Sequence, residues 1–176
     1  MNEKEGASRA TPTLAGTEGK KRKREEDRTL KYAPFFKRID GTNILVDAFT
    51  YSLSPSHRAK DRPTLYFLSH FHSDHYGGLH SDFDRGVIYA SSITASLVRH
   101  HFRIDPSRIC ELEDNKWHTV DVNTRVFLRD ANHCPGASLF LFQTPDGYYH
   151  LHTGDFRYDR ENMFLKWPEV QKAVKE

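Results

Sequence analysis

The chain has 176 residues with 26 Lys and Arg against 24 Asp and Glu, a formal net charge of +2. That length is enough for one domain with a core and too short for two large ones. No apolar run is long enough to span a bilayer, and two cysteines, Cys110 and Cys134, are too few for a disulfide framework, which fits a reducing compartment.

Residues 1–31 are rich in Gly, Ser, Thr, Glu and Lys and nearly empty of large apolar side chains, so they are expected to form a disordered basic tail. Within it, Lys20-Lys21-Arg22-Lys23-Arg24 is a run of five positive charges followed by Glu25-Glu26-Asp27. Such a run reads as a nuclear-import signal, a nucleic-acid contact or a solvated segment that does neither. The folded part is expected over residues 32–176. Two strands, over residues 32–39 and 43–49, flank the turn dipeptide Asp40-Gly41 and predict a hairpin. Asp47 lies at the end of the second. By itself it is an ordinary turn aspartate; beside a ligand loop it would orient that loop through hydrogen bonds.

Residues 51–63 have loop composition, with two prolines and His57. The apolar run Leu65-Tyr66-Phe67-Leu68 then ends on Ser69-His70-Phe71-His72-Ser73-Asp74-His75-Tyr76-Gly77-Gly78-Leu79. A strand that ends on this cluster lifts three imidazoles and a carboxylate out of the sheet, where they can converge on one point. Imidazole nitrogen and carboxylate oxygen both suit zinc. Gly77 and Gly78 are expected to let the backbone pass close to the ions and to precede a short helix. Residues 86–90 predict a buried strand. Ser91 or Ser92 caps a helix over residues 93–102 whose apolar face is Ile93, Leu97 and Val98, and the adjacent His100 and His101 belong to its solvated end.

Short strands are expected over 108–112, 117–122 and 124–129, the last partly buried on both faces. A second hairpin, over 138–143 and 148–153, surrounds Thr144-Pro145-Asp146-Gly147. Two further stretches carry chemistry. In Asp130-Ala131-Asn132-His133-Cys134-Pro135-Gly136-Ala137 a strand breaks into a Pro-Gly turn just after a histidine, and in His152-Thr153-Gly154-Asp155-Phe156-Arg157 a strand gives way to glycine and aspartate. Cys134 reads as a packed thiol, because it points away from its neighbour in an extended segment. Ligands from successive strand ends can meet at one rim of a sheet sandwich. Together the three stretches supply three His and a carboxylate for one ion, and Asp, His and the same carboxylate for a neighbouring one.

The Ser-His-Phe-His-Ser-Asp-His run resembles the H-x-H-x-D-H signature of the metallo-β-lactamase superfamily. With Asp47-Ala48-Phe49, residues 130–137 and residues 152–157 in the same order, the span 32–159 resembles the DNA interstrand cross-link repair nucleases of the β-CASP branch, which include Artemis and Apollo. The Asn-His-Cys-Pro-Gly-Ala stretch discriminates this branch from RNA-processing enzymes and small-molecule hydrolases. The resemblance implies an α/β fold, an αββα sandwich with its site at the strand-end rim. It implies two zinc ions, the first held by His70, His72, His133 and Asp155. The second would be begun by Asp74, His75 and a bridging Asp155, with Asp47 supporting the loop. It implies 5′-to-3′ DNA exonuclease activity in cross-link repair, with DNA as partner and the nucleus as location, and makes Asp74, His75 and Asp155 the candidate catalytic residues.

Members of that family continue beyond the Gly-Asp-Phe-Arg motif into the β-CASP insertion and the second half of the sandwich. The chain is therefore expected to be the first half of such a domain, with exposed apolar surface, open strand edges and at best one well-formed zinc site. Two other readings stay open: a non-catalytic product that binds zinc, DNA or a partner, and a hydrolase of the superfamily acting on RNA or a small ester.

Overall fold

The structure, a computed structural model, describes residues 31–59 and 61–175. The basic run at 20–24 and nearly all of the expected disordered tail lie outside the described residues.

Two sheets form the frame. The first contains β1 (Arg38–Ile39), β2 (Ile44–Val46), β3 (Thr64–Phe67), β4 (Gly86–Ser91) and β5 (Ile109–Leu112), in that order. β2 to β5 run parallel and β1 pairs antiparallel with β2. The second contains β6 (Trp117–Asp121), β7 (Thr124–Asp130), β8 (Ser138–Gln143) and β9 (Tyr149–His152), all antiparallel and in sequence order.

Side-chain alternation builds three apolar layers from these strands. Ile44, Val46, Leu65 and Phe67 of the first sheet face Val126, Leu128, Phe140 and Phe142 of the second. Their neighbours Leu45, Tyr66, Ile88 and Ala90 point the other way, toward the helix α2 (Ser92–Phe102), and pack with Ala95 and Val98. Phe127, Leu139 and Leu141 form the outer face of the second sheet. They are covered by Met163, from a π-helix over Glu161–Leu165, and by Trp167 and Val170, which flank and belong to α3 (Pro168–Ala173). The result is the expected helix–sheet–sheet–helix sandwich. β3 and β8, buried along nearly their whole length, read as continuous apolar runs because each is covered on both faces.

Local expectations differ at four places. The strand expected over 32–39 is interrupted by a 3-10 turn, Phe35–Lys37, and only two residues remain for β1. Pro34 at its N-cap accepts from the Lys37 amide, and the resulting turn lifts Phe35 and Phe36 into solvent. The short helix expected to follow Gly77 comes earlier, as α1 (Ser73–Tyr76), and carries Asp74 and His75 of the cluster. Gly78, at φ 103°, passes close to a different neighbour than expected: an added Cβ would lie 2.7–2.8 Å from Thr50 and from the Phe49 backbone.

α2 is capped by Ser91, as one of the two expected residues, but its buried face is Thr94, Ala95 and Val98. Ile93 and Leu97 are 52% and 39% exposed, because the helix turns Thr94 toward the Gly136 carbonyl, which accepts from Thr94 Oγ1 at 2.9 Å. The π-helix and α3 cover the outer face of the second sheet. Exposed apolar groups are present, as expected, among them Leu151 of β9, Tyr148 just before it, and Phe35 and Phe36 of the first turn. Cys134 packs against the layer under Trp167, in keeping with a packed thiol.

Trp167 is 1% exposed, yet its indole N–H has no hydrogen-bond partner among the described residues. Its contribution is therefore apolar area rather than polar anchoring. Trp167→Ala is expected to destabilise the chain by about 3–5 kcal/mol in urea denaturation, whereas Trp167→Phe, which removes the orphaned donor with part of the volume, should lose distinctly less. Equal losses in the two variants would contradict this account.

Candidate metal centre

The site assembles where four strand ends reach one rim. β3 stops at Phe67, and Leu68 extends it through a bond to the Tyr89 carbonyl before Ser69 and His70 leave the sheet. His72 adopts extended backbone and serves as N-cap of α1, which turns Asp74 and His75 back toward His70. From the second sheet, β7 delivers His133 through Asn132, which takes a left-handed conformation at φ 54°, and β9 delivers Asp155 through Gly154 at φ 51°. Gly154 is required by contact as well as by conformation, since an added Cβ would stand 2.7 Å from Ser69 Oγ.

One group of donors meets closely. Atoms of His70, His72, His133 and Asp155 all lie within 4.8 Å of one another. His133 Nε2 is 3.3 Å from His72 Nδ1, and Asp155 Oδ2 is 3.7 Å from His133 Nε2 and 3.9 Å from His70 Nε2. Four ligands around a tetrahedral ion at about 2.0–2.1 Å would stand roughly 3.4 Å apart, so this cluster needs only a small contraction to close on one. Beside it, His75 Nε2 lies 3.6 Å from Asp74 Oδ2 and 3.5 Å from Asp155 Oδ1. Asp155 thus offers one oxygen to each group.

Beneath both groups sits Asp47, 5% exposed and itself left-handed at φ 50°. Its carboxylate accepts from Ser69 N at 2.8 Å, from Ser69 Oγ at 2.6 Å and from His75 Nδ1 at 2.8 Å, with His152 Nε2 at 3.7 Å. Burial would raise its pKa, but the nearby His152 and the hydrogen bonds from His75 and Ser69 outweigh that and hold the carboxyl well below the usual carboxylate range. Asp47 is therefore an anion that dictates where protons sit. His75 gives its Nδ1 proton to Asp47, and that bond, with the charges of Asp47, Asp155 and Asp74, raises its pKa above the usual imidazole range; Nε2 faces Asp74 and Asp155, where a cation could replace its proton. Ser69 gives its hydroxyl proton to Asp47, so its oxygen can accept from His70 Nδ1 at 3.0 Å. That places the His70 lone pair on Nε2, in the centre of the four-donor group.

His70 Nε2 is fully buried and has no hydrogen-bond partner among the described residues. Burial, then the neighbouring His75, push the pKa of His70 down to about 4, so the ring is neutral at pH 7. A buried, unpaired lone pair aimed at two other imidazoles and a carboxylate has no favourable protein partner, and a cation is the group that fits it.

Every residue expected at the site thus reaches one rim. Two residues there escaped the sequence reading. Ser69 relays the Asp47 charge to His70, and His152 flanks Asp47 from β9. Both stand inside quoted motifs, one directly before the first histidine and one two residues before Gly154; only their contacts with Asp47 give them a role.

No protein-family model matches the chain. It is 49% identical over 126 residues to the DNA cross-link repair 1A protein of Mus musculus, which covers 72% of this chain and 12% of that protein. It is 42% identical over 120 residues to the 5′ exonuclease Apollo of Gallus gallus, covering 68% of this chain and 24% of the relative. The chain thus spans a quarter or less of the length of these two curated relatives. Among solved structures, a metallo-β-lactamase of Cronobacter sakazakii with a HARLDQ motif superposes with a TM-score of 0.39 at 15% identity, covering 63% of this chain and 50% of that one.

Removing the Asp47 carboxylate would orphan the Ser69 amide, the Ser69 hydroxyl and His75 Nδ1 together. Asp47→Ala is expected to cost about 3 kcal/mol in urea denaturation of the metal-free chain and to weaken metal uptake about tenfold or more. Unchanged metal affinity would remove Asp47 from this supporting role.

Proposed function

The chain belongs to the DNA cross-link repair family, and from that premise we propose that it carries the metal-binding part of a nuclear 5′-to-3′ DNA exonuclease that acts in interstrand cross-link repair. His70, His72, His133 and Asp155 hold one zinc ion. Asp74 and His75 begin a second site, in which Asp155 takes part through its other oxygen. Asp47 positions the loop. The observation that carries this reading is the orphaned Nε2 of His70, fully buried at the centre of the four-donor group.

Divalent ions held there would supply a nucleophile from water at neutral pH and neutralise charge on the phosphodiester as it is cleaved. The protein's own residues do the rest. Asp47, Ser69 and His75 fix ring orientation and proton position before any ligand arrives, so little reorganisation is needed on binding. Asp155 is half-exposed and Asp74 largely so, which leaves the rim open to a large substrate. Next to His133 lies a cavity of about 490 Å³ whose lining includes Asn132, Pro135 and Arg157 together with Asp114 and Asp130.

This reading separates the roles of two carboxylates. Asp74→Ala is expected to spare the first ion and lose the second, whereas Asp155→Ala should damage both, as measured by metal analysis of the purified chain. Degradation of 5′-phosphorylated single-stranded DNA, tested on the same samples, should be absent from Asp155→Ala. Two ions retained in Asp74→Ala would contradict the assignment.

A further inference from the structure

The aromatic surface beside the metal loop has no part in holding ligands. Phe71, between His70 and His72 in sequence, turns away from the cluster and meets Tyr76 at 4.7 Å between ring centroids. The end of α2 completes the group: His101 stands 5.7 Å from Phe71 and 6.3 Å from Tyr76, and Phe102 stands 6.0 Å and 5.2 Å from the same two rings. His101 is exposed, and Phe71, Tyr76 and Phe102 are half-buried over the first core, so the group presents ring surface while remaining anchored.

The charge around it is basic. His100, His101 and Arg103 are exposed and consecutive but for Phe102. Arg103 caps α2 in a left-handed conformation, φ 56°, a position where glycine is the usual choice. Cations at a helix C-terminus complement its dipole. That effect accounts for the charge but not for four aromatic rings gathered at the same place.

We infer that Phe71, Tyr76, His101 and Phe102, with Arg103 beside them, form a stacking platform for single-stranded DNA adjoining the metal centre. The inference rests on the nuclease reading and names the form of the substrate. Aromatic faces take unpaired bases of any identity, and a neighbouring arginine takes the backbone phosphate. Phe71 belongs to the same loop as His70 and His72, so one short segment of chain is shared by the centre and the platform. A duplex hides its base faces and could not use it.

The test measures binding of a fluorescent single-stranded oligonucleotide to the full chain by anisotropy, over a salt series. His101→Ala and Arg103→Ala are both exposed and should fold. Each is expected to weaken binding, to about tenfold for the pair together, and Arg103→Ala should flatten the dependence of log affinity on log salt by about 0.7. An abasic strand of equal length should bind the parent chain about as weakly as the unmodified strand binds the double variant. If the strand binds and the variants match the parent, or if the abasic strand binds as tightly as the unmodified one, the platform alone is overturned. If the parent takes up metal but binds no strand, the nuclease reading falls with it. His72→Ala separates the two sites, because it should lose metal while keeping the strand.

Discussion

The structure depends on one buried anion. Asp47 lies where β2 ends, and its carboxylate gathers the start of the metal loop through Ser69, the first helix through His75 and the end of β9 through His152. A carboxylate in such a place would be costly if unpaired, so the loop around it has little freedom to be elsewhere. The same anion fixes the tautomers of His75 directly and of His70 through a hydroxyl relay. Position and proton are therefore set by a single group that is not itself one of the expected metal donors.

Around this point the two sheets are stitched together. Ser138 at the head of β8 donates its amide to the Ser69 carbonyl, which ties the second sheet to the metal loop. Farther along the rim, the Gly136 carbonyl accepts from both Ser91 Oγ and Thr94 Oγ1 at the start of α2, so the turn after His133 is clamped to the first sheet's helix. Behind these bonds stands an aromatic core in which Phe67 meets Tyr89, Phe140 and Phe142 at 5.0–5.4 Å. Close packing there transmits the spacing of the sheets to the spacing of the ligands. Left-handed residues at Asp47, Asn132 and Gly154 aim each segment inward, at a cost of about 1 kcal/mol for a residue other than glycine.

Much of the fold was readable because the central strands β2, β3 and β8 are buried on both faces and stand out as short apolar runs between turn residues. The two hairpins and the strand ends on which the motifs fall follow from that pattern. Where the reading failed, tertiary contact had overridden local preference. The periodicity of α2 selects Ile93, Leu97 and Val98, but packing against the Gly136 turn rotates the helix so that Thr94, Ala95 and Val98 go inside. A 3-10 turn after Pro34 interrupts the first strand, and Gly78 makes room for the Thr50 segment rather than letting the backbone pass close to the site.

By itself the sequence determined which residues could bind metal, since the spacing of His70, His72, Asp74 and His75 and the motifs around His133 and Asp155 are local facts of composition. It also determined that these residues sit at strand ends. Only the tertiary structure decided how their donors are shared. His133 and Asp155 lie 61 and 83 positions beyond His72, and nothing local says which oxygen of Asp155 faces which histidine. The roles of Ser69 and His152 were likewise undecided, because each exists only as a contact with a carboxylate from another strand. Hydrogen-bond geometry across strand ends is a property of the packed sheets, and it is there that an ordinary aspartate at a turn becomes the group on which the site is built.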